Sequence, residues 1–138
     1  MEYIYFTGQI LLAVLLGGIL GWQRVRIGKS AGPRTYGLVA VGSALFTMLS
    51  LTAFGMGDPA RVAAQILTGI GFIGAGVIIH KDGGVIEGVT TAAGLWAVAA
   101  IGMAVGVGWW WQAIVVTSVM LLVLIVDDDK LVKRKKRR

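Results

Sequence analysis

Four long stretches of this sequence carry no charged side chain. Residues 3–23 hold 21 uncharged positions, 35–57 hold 23, 62–80 hold 19 and 88–126 hold 39. A soluble domain of this size exposes too much surface to leave most of its length without charge. Charged residues make up 14% of the chain and hydrophobic ones 57%, against about 25% charged in an ordinary soluble domain. The apolar content excludes disorder. The chain has no cysteine, which removes disulfides, thiolate metal sites and cysteine nucleophiles. An integral membrane protein is what remains.

A bilayer-crossing helix needs about 20 apolar residues, so each of the first three windows fits one span. The fourth would be about 58 Å long as a single helix, at 1.5 Å per residue, against a hydrocarbon core of about 30 Å. It must hold two spans, and Gly106-Val107-Gly108 is the natural break. The runs are continuous rather than alternating, which disfavours a barrel. The expected architecture is all-α: a polytopic transmembrane helical bundle of about five spans, near 4–22, 35–56, 60–79, 89–106 and 109–126. Residues 127–138 would form a basic cytoplasmic tail.

Orientation follows from the basic residues. Arg24, Arg26, Lys29 and Arg34 crowd the first loop, and seven Lys or Arg residues lie in the tail. Arg61 stands alone in the second loop and Lys81 in the third. With the N-terminus outside and the C-terminus cytoplasmic, nearly all cations fall on the inner face. Tyr3, Tyr5, Phe6 and Trp109 to Trp111 would then mark the outer interface, with Trp22 and Tyr36 at the inner one, as in an aromatic belt. The start of the chain has no basic n-region, so it reads as an uncleaved first helix. The tail would bind anionic membrane lipids; nucleic acid is not an expected partner.

Two motifs are decoys. Gly69-Ile70-Gly71-Phe72-Ile73-Gly74 spells a dinucleotide fingerprint but falls mid-span, without the strand that the motif requires. Gly28-Lys29-Ser30 matches the end of a phosphate loop, yet Gln23 stands where its first glycine belongs. His80 is the single histidine, and no charge-free window contains Asp or Glu. No catalytic set can be assembled, so neither enzyme activity, cofactor nor metal centre is expected.

The polar residues that enter the spans are more informative. Asp58, Arg61, Gln65 and Thr68 recur at helical spacing, so they share one face of the third helix. Polar groups in lipid are costly, and this stripe should face the bundle interior or a wet cavity. Together with Thr90 and Thr91 it forms the expected polar interior or gate. Tyr36, Ser43, Thr47 and Ser50 share a side of the second helix. The small residues Gly17 and Gly21, and Thr90, Ala93, Gly94, Ala97, Ala100 and Ala104, suit close helix packing, with a homo-oligomer expected. Arg24, Arg26, Lys29, Arg34 and Thr35 form the candidate site for an anion or lipid headgroup, with Arg34 and Thr35 at a helix N-terminus.

Several ordered blocks resemble the MgtC/SapB-like bacterial membrane proteins. They include Gly28-Lys29-Ser30-Ala31-Gly32-Pro33-Arg34-Thr35, Asp58-Pro59-Ala60-Arg61-Val62-Ala63-Ala64-Gln65 and Thr90-Thr91-Ala92-Ala93-Gly94-Leu95-Trp96. The resemblance implies an inner-membrane protein linked to growth under magnesium limitation and to virulence. It further implies action on a membrane complex such as the ATP synthase. Gln23 and Val25 flank Arg24 where many members carry an acidic residue. A small oligomeric channel or transporter, with its path along the third helix, is the alternative expectation.

Overall fold

A computed structural model of the chain describes residues 2–53, 57–81 and 85–126. The basic tail and the end of the second expected span lie outside these residues. The protein is a bundle of five helices: α1 (Glu2–Arg26), α2 (Pro33–Thr52), α3 (Ala60–Gly76), α4 (Val89–Val107) and α5 (Trp110–Ile125). The segments Tyr3–Arg26, Pro33–Thr52 and Val89–Val107 are long and apolar enough to cross a membrane, while α3 and α5 are apolar but shorter, at 17 and 16 residues. This is a membrane-type bundle.

Local chemistry sets the helix ends. α1 runs on through Arg24 and Arg26, whose cations suit the negative end of the helix dipole. It stops where Gly28 turns left-handed at φ 74°, with the Lys29 N–H returning to the Arg24 carbonyl at 3.0 Å. α2 opens on Pro33, whose fixed φ and missing N–H suit a first helical position.

One element departs from an all-α reading. Ile79–Lys81 (β1) and Val85–Glu87 (β2) pair antiparallel between α3 and α4. The signal was present: β-branched residues flank Asp82-Gly83-Gly84, a composition that favours hairpins over helix. The third helix consequently ends at Gly76 rather than near residue 79.

α4 is the central helix and touches each of the other four. Its packing face is Gly94, Leu95, Val98, Ile101, Gly102, Val105 and Gly106, all buried. The expected small-residue face is rotated away from this, since Ala93 and Ala100 are exposed. Glycine selects the true face. A Cβ on Gly102 would strike the Ala40 carbonyl, and one on Gly106 would stand 2.6 Å from the Ala44 carbonyl. A Cβ on Gly17 would stand 2.6 Å from the Tyr36 carbonyl. The backbones of α1, α2 and α4 therefore meet almost directly, as close packing in lipid requires.

Side chains tie the ends together. Gln9 of α1 donates to the carbonyls of Val105 (2.9 Å) and Gly106 (3.2 Å) at the end of α4. Tyr5 lies 6.2 Å from Trp110 in the same region. At the opposite end, Gln23 donates to the Leu124 carbonyl at 2.8 Å. The helices thus alternate in direction, and the start of α1 and the end of α5 lie at opposite ends of the bundle.

Gly102→Val should lower stability by about 3 kcal/mol, the upper range for overpacking a tight site. Gly69→Ala, at a position with nothing within 4 Å of its Cβ, should be neutral or slightly stabilising. Thermal unfolding of both variants in detergent checks the contrast.

Candidate functional site

The first basic loop does not act as one patch. Arg24 is the exception to its neighbours, at 2% exposure. It lies on the same α1 face as Gly17 and Gly21, seven and three residues earlier, and so points inward at α2 and α4. Its Nη2 donates to Thr91 Oγ1 at 3.1 Å, in the first turn of α4. The Tyr36 hydroxyl, from the first turn of α2, lies beside the same guanidinium and donates to the Thr91 carbonyl at 3.3 Å. Tyr36 is fully buried and is a core residue, not a member of the interfacial aromatic belt. One cation thereby joins three helices through neutral partners. Its Nε is buried with no hydrogen-bond partner, as is Gln23 Oε1.

The remaining loop residues stand outside this junction. Arg26 lies over the Trp22 ring at 4.0 Å from its centroid, a cation–π pair on the bundle surface. Lys29 and Arg34 are exposed and Thr35 is half-buried. The structure thus brings Arg24 together with Thr91 and Tyr36 rather than with Arg26, Lys29, Arg34 and Thr35. Tyr36, Ser43, Thr47 and Ser50 do share one buried face of α2. Spacing alone allowed Tyr36 to be grouped with them; only its aromatic type argued for the interface.

α3 carries the second polar feature. Its buried face is Ile66, Ile70 and Gly74, against α4. The stripe Asp58, Arg61, Gln65 and Thr68 lies away from it and is exposed. Asp58, Arg61 and Gln65 line a groove of about 820 Å³ with Phe46, Ser50 and Ile66. Asp58 Oδ1 accepts the Ala60 N–H at 2.9 Å, which satisfies part of the helix start. The Thr68 hydroxyl donates back to the Ala64 carbonyl at 3.1 Å. Thr90 is exposed and Thr91 buried at the Arg24 junction; no side-chain hydrogen bond joins either threonine to the α3 stripe among the described residues. Nor does any group of three His, Cys, Asp or Glu side chains among those residues come close enough to hold a metal ion.

Comparison with known proteins adds a family. The profile of the MgtC family matches residues 10–130. "Protein MgtC" of Brucella abortus (strain 2308) is 51% identical over 96 residues, covering 70% of this chain and 40% of that protein. "Putative magnesium transporter YhiD" of Escherichia coli (strain K12) is 45% identical over 112 residues, covering 75% of this chain and 51% of its own length. "Protein MgtC" of Salmonella typhimurium (strain 14028s / SGSC 2262) is 46% identical over 100 residues, covering 72% and 42% respectively. The chain spans about half the length of these curated relatives. No solved structure gives a significant match.

Thr91→Val should cost about 1–3 kcal/mol, because a buried guanidinium loses an acceptor and stays desolvated. Arg34→Ala, at an exposed position, should stay within about 0.5 kcal/mol of the parent. Equilibrium unfolding of both variants in the same detergent measures the difference.

Proposed function

Because this chain belongs to the MgtC family, we propose that it is a non-enzymatic protein of the bacterial inner membrane that supports growth under magnesium limitation by engaging a membrane partner. In this reading it crosses the bilayer five times, with its N-terminus outside and its basic tail in the cytoplasm. The alternating helix directions favour opposite sides for the two ends, and the distribution of basic residues alone favours the cytoplasmic side for the tail.

One observation carries the partner reading: the polar stripe of α3 faces outward. Gln65 is five residues past the start of α3, about 7 Å along the axis, and is exposed. An amide facing hydrocarbon at that depth costs free energy unless another polar group meets it. A protein surface lying on α3 removes that cost. A second copy of the chain, or a membrane complex such as the ATP synthase that the family resemblance suggests, would supply it.

The second reading is a transporter. The groove beside α3 favours it, and one relative bears a transporter's name. Asp58 is the carboxylate at the groove, and hard cations such as magnesium prefer oxygen ligands. Reconstitution in liposomes separates the two readings: magnesium flux that is lost in Asp58→Asn replaces the partner model with the transporter.

Growth at limiting magnesium, in a strain lacking its own relative, tests the partner model. Gln65→Leu should abolish rescue while leaving the melting temperature unchanged; full rescue sinks the reading. Topology is separately accessible because the chain has no cysteine. Single Thr7→Cys and Val126→Cys variants should label from opposite sides of the membrane.

A further inference from the structure

The first turn of α4 is an unfinished site. α4 is 19 residues long and starts without a side-chain cap or an acidic residue in its first turn. Its leading N–H groups therefore lack intrahelical acceptors and carry the positive end of the helix dipole. The Arg24 guanidinium reaches the same turn, 2% exposed, with Nε unpartnered. Two positive potentials thus meet at one place, next to Thr91.

The Thr91 hydroxyl is set differently from six others in the helices, and Ser50 is a further exception, donating to the Pro59 carbonyl at 3.2 Å. The hydroxyls of Thr7, Thr47, Thr52, Thr68, Thr117 and Ser118 all donate to the carbonyl four residues back. Thr91 Oγ1 instead accepts from Arg24, which leaves its proton available to donate. Val89 and Thr90, by contrast, are exposed, so the turn opens to the end of the bundle with Arg24 behind it.

We propose that the N-terminus of α4, backed by Arg24 through Thr91, binds a phosphate group. A phosphate presents several oxygens at once, which suits the fan of N–H groups at a helix start together with one hydroxyl. The anion would neutralise the guanidinium and the helix end together. Two sources share this chemistry: the headgroup of a phospholipid and free inorganic phosphate. The site differs from the α2 start at Arg34 and Thr35, where the cation is exposed. It is independent of the partner reading, because it uses the opposite end of the bundle from Asp58 and Arg61.

The test uses the full chain, stripped of phospholipid and held in micelles of detergent with a phosphate-free glycolipid. Melting temperature is followed as sodium phosphate is titrated against sodium chloride of equal ionic strength, and separately as phosphatidylglycerol is added. A saturable rise with either probe supports the proposal, and which probe acts identifies the source. In Arg24→Lys the apparent affinity should fall on the order of tenfold, the loss of one charge-assisted hydrogen bond. Should Arg24→Lys not fold, Thr91→Val should lose the response and Thr91→Ser keep it. No response to either probe in the parent chain overturns the proposal, as it would mean that the charge is met within the protein. So does an apparent affinity left unchanged in Arg24→Lys, or a response kept in Thr91→Val where the lysine variant does not fold. A response abolished by Arg34→Gln but kept by Arg24→Lys places the anion at α2 and equally overturns it.

Discussion

Close approach of three backbones governs this bundle. In lipid, helices gain no hydrophobic advantage from meeting, so van der Waals contact and a few hydrogen bonds must hold them. Gly17 on α1 and Gly102 and Gly106 on α4 admit the α2 backbone to distances that any side chain would forbid. Everything else follows from that geometry. α4 becomes the central helix, and the large residues Leu20, Leu95, Val98, Ile101 and Val105 fill the space left around the contact. Tyr36 is carried from an apparent interface position into the core, beside Gly94, where no larger residue would leave room for its ring.

The same approach explains why a cation can be buried. Arg24 continues the glycine face of α1, so packing α1 against α2 and α4 necessarily draws its guanidinium inward. Charge in such a place is costly unless hydrogen bonds meet it. The Thr91 hydroxyl meets part of the demand, and the Tyr36 hydroxyl, bonded to the Thr91 carbonyl, lies beside the guanidinium. Arg24 Nε is left without a partner and α4 starts without a side-chain cap; the proposed anion would answer both needs.

α3 obeys a different logic. It is shorter and packs by a narrow face, Ile66, Ile70 and Gly74. Its other side carries the polar stripe together with the exposed Phe72, with open space around Gly69 and Gly71. The bundle thus has a tightly closed part, built by α1, α2 and α4, and an outward polar flank. Function that depends on contact with other membrane components has its natural place on the flank, while anion chemistry belongs to the closed end.

The sequence alone determined the helical class, the number of helices and the membrane character. These are properties of uninterrupted apolar length, which can be counted residue by residue. It also showed that Gly17 and Gly21 serve packing and that Tyr36, Ser43, Thr47 and Ser50 share a face. The hairpin at Ile79–Glu87 was legible in its flanking residues, though hidden by the apolar run before it. Only the tertiary structure decided which way each helix faces. In a soluble helix the apolar stripe points to the core, but in lipid both sides are apolar and that compass is lost. Hence the α4 contact face, the outward turn of the α3 stripe, and the separation of Arg24 from Arg26, Lys29 and Arg34 emerged only when the helices were packed together.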